Sequence, residues 1–245
     1  MWKPGYGKGG DLEAGEASVP LYPMMLESPD LRWAFIRKVY SILSIQLLLT
    51  AVVSAVVVSV HPISHFFVSS GLGLAVYIVI VFLTFILILP LHRYSQRHPV
   101  NLFLLAIFTV AISIAVGLTC AFTKGRVILE AAILTFVVVV SLTLYTFWAA
   151  RRGQDFSFLG PFLFGALLVL IVFGFIQIFF PLGKISTMIY GAVAAILFCG
   201  YIIYDTDNLI KRHTYDEYIL ASVALYLDVV NLFLYLLTIF RAADS

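Results

Sequence analysis

Charge is scarce in this chain. Only 11% of its 245 residues are Asp, Glu, Lys or Arg, against roughly a quarter in a soluble domain. Cysteine is scarcer still. Cys120 and Cys199 both sit inside apolar runs, which excludes a disulfide framework, and two thiols are too few for a zinc site. The first 38 residues hold no long apolar run, so no secretory leader is expected. No repeat of domain-building length is visible. No phosphate-binding glycine loop, catalytic triad or basic nucleic-acid patch occurs. The five histidines, His61, His65, His92, His98 and His213, fall in expected loops or helix ends without metal-ligand grouping. These absences point away from an enzyme, a resident cofactor and a nucleic-acid partner.

What the chain has instead is apolar mass. Hydrophobic residues make up 62% of it. Spans of about 20 apolar residues are the length of a bilayer-crossing helix. Seven are expected, over Val39–Val60, Leu74–Leu91, Val100–Phe122, Val127–Ala149, Leu159–Pro181, Ile185–Ile210 and Ile219–Phe240. Prolines Pro90, Pro161 and Pro181 mark span ends. The fold class is therefore an all-α membrane protein, a seven-helix bundle. Three regions follow: residues 1–38, a tail plus the start of an interfacial helix; 39–240, the membrane domain; and 241–245, a short C-terminal tail.

The tail Met1–Glu27 is rich in Gly and Pro and is expected to be disordered, with Pro20-Leu-Tyr-Pro23 solvated rather than the short polyproline docking motif it also resembles. Ser28-Pro29-Asp30 reads as a helix start, Ser28 as N-cap and Pro29 at the first helical position. Leu31, Trp33, Phe35, Arg32, Arg37 and Lys38 suit a helix entering the membrane interface.

Cation placement sets the orientation. Eleven of the fifteen Lys and Arg fall in the N-terminal region and the loops after spans two, four and six; Lys124, Arg126, Lys184 and Arg241 fall on the other side. The positive-inside rule puts the N-terminus in the cytosol. Seven spans then carry the C-terminal tail to the far side, unless the last segment is re-entrant.

One charge lies where charge is costly. Asp228 is near the middle of the last span, where a carboxylate costs about 2.5–3.5 kcal/mol on insertion scales. Ala221, Ala224, Asp228, Asn231, Tyr235 and Thr238 recur at alternating steps of three and four and form one helical face. Small and polar residues on a face suit the bundle interior. On the sixth span, Gly191, Ala194, Phe198, Tyr201, Asp205 and Asn208 repeat the same steps, while Asp207 turns away toward the interface. With a rise of about 1.5 Å per residue, Asp205 lies about 7.5 Å from its helix end and Asp228 about 13 Å from the start of the next. The carboxylates meet if the stripes face each other; otherwise Asp205 is a helix-end residue and Asp228 and Asn231 glue helices together. Two carboxylates in contact in low dielectric do not both ionise, and the pair holds a shared proton. Their oxygens also suit a hard cation, though they are too few for tight calcium binding, so a transient calcium site is expected at Asp205 and Asp228.

Three stretches of this sequence are similar to a known family. Gly200-Tyr-Ile-Ile-Tyr-Asp205-Thr-Asp-Asn, Tyr215-Asp-Glu-Tyr and Ala224-Leu-Tyr-Leu-Asp228-Val-Val-Asn-Leu-Phe resemble the transmembrane Bax inhibitor motif family. Arg97-His-Pro-Val-Asn101 and the tail from Asp11 to Pro29 resemble its Lifeguard branch, in particular the plant members. The resemblance implies a bundle with the last helix at its centre, a pH-sensitive calcium leak across endomembranes, most often of the endoplasmic reticulum, and suppression of cell death. It implies an aspartate pair as pH sensor, carried over onto Asp205 and Asp228; Asn208, Asn231, Tyr201 and Tyr235, on the same helical stripes, form the supporting polar face. It also implies a basic latch on the second helix, for which Arg93 is the nearest candidate.

Glu130 opens the fourth span opposite the cytosol. It either forms part of a lumenal mouth or pairs with Arg126 one turn away. Thr109, Ser113, Gly117 and Cys120 line one face of the third span and read as packing residues. Three functions remain open: a pH-gated calcium leak with calcium as the permeant ion, a proton-coupled carrier, and a non-conducting regulator acting on membrane protein partners. Lipid is a partner in each.

Overall fold

The computed structural model describes residues 20–23, 25–180 and 183–244. The tail expected to be disordered, up to residue 19, and Pro181 lie outside the described residues. Eight α-helices follow in chain order: α1 (Pro29–Ser59), α2 (His61–Ser69), α3 (Gly71–Arg93), α4 (Val100–Ala121), α5 (Gly125–Arg151), α6 (Leu159–Phe179), α7 (Lys184–Lys211) and α8 (Tyr218–Asp244). All but α2 are long and apolar enough to cross a membrane. Side chains such as Phe85, Phe136, Val169 and Phe179 face outward on α3, α5 and α6, as a lipid-facing surface requires.

Boundaries differ from the expected ones where local chemistry intervenes. The interfacial start and the first span form one unbroken helix of 31 residues. Ser28 occupies its N-cap, but the hydroxyl makes no capping bond; only its carbonyl is used, by Arg32 N–H. Pro90 does not end α3, which runs on to Arg93. The short α2 was not foreseen. Pro62 sits in its first turn, where a missing N–H is tolerated. Ser70 then starts α3, its hydroxyl accepting from Gly73 N–H at 2.9 Å.

The last helix is the hub. α8 packs most extensively on α7 and also on α5, α1 and α4. It is continuous to Asp244, which pairs with Lys124 at 2.7 Å. That contact puts the chain's end at the α4–α5 turn, as seven crossings require and a re-entrant last segment does not.

A polar seam joins α1, α4 and α8 within the bundle. Gln46 Nε2 donates to Thr109 Oγ1 at 3.1 Å. Ser113 Oγ reaches Thr50 Oγ1 at 3.0 Å, and Thr50 Oγ1 is 2.8 Å from the Tyr226 hydroxyl. Thr109 and Ser113 are thus interhelical hydrogen-bonding residues, more than the packing residues expected. Gly117 does pack: a Cβ there would stand 2.8 Å from Val57 Cβ, so its lack of a side chain sets the close approach of α1 and α4.

A carboxyl pair in a membrane-buried cavity

The four basic segments meet on one face. Arg32 is only 2% exposed. It pairs with Glu27 at 2.6 Å and donates to the His213 carbonyl at 2.6 Å; the Tyr215 hydroxyl donates to Glu27 at 2.5 Å. Leu21 is 2% exposed and belongs to the core. The Pro20–Pro23 stretch is therefore not a solvated tail. It docks beside Gly153, where a Cβ would stand 3.2 Å from Pro23 Cγ. Gly153 holds φ +77° just past α5, a left-handed backbone that glycine adopts without strain.

Asp207 departs from its expected place at the interface. It is fully buried. Lys211 Nζ lies 2.5 Å from Oδ1, and Arg212 lies 3.3 Å from Oδ2. The Phe156 N–H donates to Oδ2 at 3.2 Å. Arg212 also pairs with Asp155 in the α5–α6 loop. At Asp155, partial burial acts upward on the carboxyl, but the Ser157 N–H, the Arg212 guanidinium and the Ser157 hydroxyl more than offset it and hold the pKa at about 2.

Deeper in the bundle, the stripes predicted on α7 and α8 do face each other. Asp205 and Asp228 are in direct interaction range across the interface. Asp228 is 5% exposed, and its Oδ2 has no hydrogen-bond partner among the described residues. Asp205 is half-buried and accepts from Asn208 Nδ2 at a long 3.5 Å. Asn208 Oδ1 in turn accepts from Arg212 at 2.5 Å. Both carboxyls line a cavity of about 660 Å³. Tyr201, Asn231 and Tyr235 line it too, among apolar walls from α3, α4 and α6.

The other expected site residues divide. Asn231 Nδ2 donates to Leu227 O of its own helix at 2.8 Å, leaving Oδ1 free to face the cavity. Tyr235 stacks on Phe198 at 5.7 Å and meets Tyr190 edge-on at 5.9 Å. Arg93 is exposed at the end of α3 and forms no ion pair among the described residues. The cation linked to Asp205 is Arg212, through Asn208. Glu130 is paired with Arg126 at 2.7 Å, the local helix-end arrangement. Among the described residues no three His, Cys, Asp or Glu side chains group as a metal site would require.

Arg212 and Asp155 were the missed members of this neighbourhood. The one available signal was the run of opposite charges Asp207, Lys211 and Arg212 at steps of four and five, which ties a helix end to whatever packs beside it.

Seven crossing helices around a central last helix, with a carboxyl pair enclosed between the last two, define a multi-pass membrane protein with an acidic interior site. Residues 32–245 match the family model described as inhibitor of apoptosis-promoting Bax1, so the chain belongs to the Bax inhibitor family, in its Lifeguard branch. It is 69% identical over 235 residues to protein LIFEGUARD 2 of Arabidopsis thaliana, covering 96% of this chain and 98% of that one. It is 40% identical over 218 residues to protein lifeguard 4 of Mus musculus, covering 89% of each. A Golgi anti-apoptotic protein of Vaccinia virus (strain Lister) is 39% identical over 218 residues, again covering 89% of each.

Proposed function

We propose that this protein suppresses cell death as a pH-sensitive, calcium-permeable leak of an endomembrane, with its N-terminus in the cytosol. The observation that carries the reading is Asp228. A carboxyl group 95% removed from solvent, with one oxygen unpartnered, is a costly feature inside a membrane. Helix glue needs only an amide or a hydroxyl. What the second acid adds is titration.

In this reading Asp205 and Asp228 share one proton and hold α7 against α8. Losing that proton leaves two like charges in a poorly screened place, and their repulsion separates the helices. The freed oxygens of Asp205, Asp228 and Asn231 then offer a passing calcium ion hard ligands, fewer than the six to eight of a tight site. Flux therefore rises as pH rises through the titration of the pair. Residence in the endoplasmic reticulum is the branch expectation; the viral relative's name places that protein in the Golgi.

The test is calcium flux into proteoliposomes across pH. Wild type is expected to show a pH-dependent flux. Asp228→Asn, which keeps the shape but not the titration, is expected to flatten it. An unchanged flux and pH response in that variant would sink the reading. If cell-death suppression persists with both aspartates changed to Asn, a non-conducting regulator acting through membrane protein partners takes its place.

A further inference from the structure

The second large opening lies away from the carboxyl pair, between α1 and α5 on the arginine-rich face. The two helices each pack on α7 and α8. The groove between them holds about 570 Å³. Trp33, Ile36 and Tyr40 form one wall, and Leu144, Phe147 and Trp148 the other. Trp33 and Phe147 stack nearly parallel, 4° apart at 5.7 Å, so an aromatic bridge crosses the groove, and Trp is enriched at bilayer interfaces.

Its charged lining is of one sign. Arg37 and Arg151 line the groove and no acid does. Neither arginine has a carboxylate partner among the described residues. Arg37 lies a turn deeper than Trp33, yet turns back toward the face, its Nε donating to the Trp33 carbonyl at 3.3 Å. That is the direction a helical side chain leans near the start of its helix, and the direction in which a membrane arginine snorkels. Arg152 sits over Trp148 at 4.2 Å and adds a third cation at the rim. Cations set against apolar walls at a membrane surface need an anion, and the described residues supply none there.

We infer that this groove binds one anionic glycerophospholipid from the leaflet on the arginine-rich face, its phosphate against Arg37 and Arg151 and an acyl chain along the aromatic walls. Basic pockets between membrane helices recognise acidic headgroups in this way. The inference is independent of the carboxyl pair.

The groove carries its own reporters, because Trp33 and Trp148 are two of only three tryptophans. In a Trp2→Phe background they are the only ones. Proteoliposomes of one fixed mixture of phosphatidylserine and phosphatidylcholine are prepared twice. In one the phosphatidylserine has brominated chains; in the other an equal mole fraction of the phosphatidylcholine does. Quenching is expected to report a phosphatidylserine preference of about tenfold. The preference should be lost in Arg37→Gln/Arg151→Gln, fall partway in each single variant, and persist in Arg97→Gln, which removes a charge from the same face elsewhere. Equal quenching by both lipids in the Trp2→Phe parent overturns the inference without any groove variant. So does a preference that survives the double change, or one that falls as far in Arg97→Gln.

Discussion

At the scale of single residues, this protein treats its membrane-region acids in two opposite ways. Asp207 and Asp228 are both buried. Asp207 is surrounded by Lys211, Arg212 and a backbone N–H, whereas Asp228 faces another acid and leaves an oxygen unpartnered. The first carboxylate is met by two cations and a donor; the second is met by another carboxyl. Asp207→Asn keeps the size and one acceptor but leaves Lys211 and Arg212 facing an amide. Both cations are partly solvated, so the cost should sit below that of a fully buried broken pair, at about 1–3 kcal/mol. The expected outcome is a lower thermal midpoint in detergent with the pH at which calcium flux rises left unmoved. A shift of that pH would instead make Asp207 part of the titrating group.

Among elements, helices were legible and their partners were not. Apolar runs of bilayer length announce themselves without any partner, so seven crossings could be read directly. The stripes holding Asp205 and Asp228 were legible because polar residues at steps of three and four stand out against Leu, Val and Ile. Tyr226 carried no such signal. It hydrogen-bonds Thr50, 176 positions away, and lies on the face opposite the stripe. Leu21 and Arg32 misled for a related reason. A leucine in a proline-rich tail looks solvated and an arginine before a span looks interfacial, yet Leu21 joins the core and Arg32 is buried against the α7–α8 turn. The α5–α6 loop is the same kind of contact, and its strength depends on pH. Asp155 has a folded pKa of about 2, against an ordinary 3.8. A lowered pKa means that its contribution is complete above the ordinary value and is lost as pH falls through about 2. Because the group is more than half exposed, the effect is screened to about 1–2 °C in thermal midpoint. Wild type should therefore unfold above Asp155→Asn at pH 6, and the difference should shrink as the pH falls through about 2 and vanish below it. A difference that persists there would assign the loop's hold to something other than this ion pair.

For the whole molecule, the decisive asymmetry is between its two ends. The segment before α1, the turn between α3 and α4, and the loops after α5 and α7 meet on one face through Arg32, Asn101, Asp155 and Asp207. The opposite end holds the Lys124–Asp244 pair and the Arg126–Glu130 pair. Ion pairing therefore distributes the cations differently as well. At the end holding the α4–α5 turn Lys124 and Arg126 have acidic partners, leaving Lys184 and Arg241 without one, whereas Arg37, Lys38, Arg93, Arg97, Arg151 and Arg152 on the other face have none among the described residues. Lys and Arg flanking the spans resist translocation, and eleven of the fifteen fall in the N-terminal region and the loops of the arginine-rich face, so that face should be cytosolic. Single cysteines can test this directly, since Cys120 is buried and Cys199 lies within α7. Both thiols lie within membrane-crossing helices, so an impermeant maleimide should leave both unlabelled. In sealed endoplasmic reticulum vesicles with the cytosolic side out, Ser157→Cys in the α5–α6 loop should label at once. Thr123→Cys, beside Lys124, should label only after permeabilisation. The reverse pattern would invert the protein, place its acidic cavity under the lumenal rather than the cytosolic pH, and turn the proposed sensor to the other compartment.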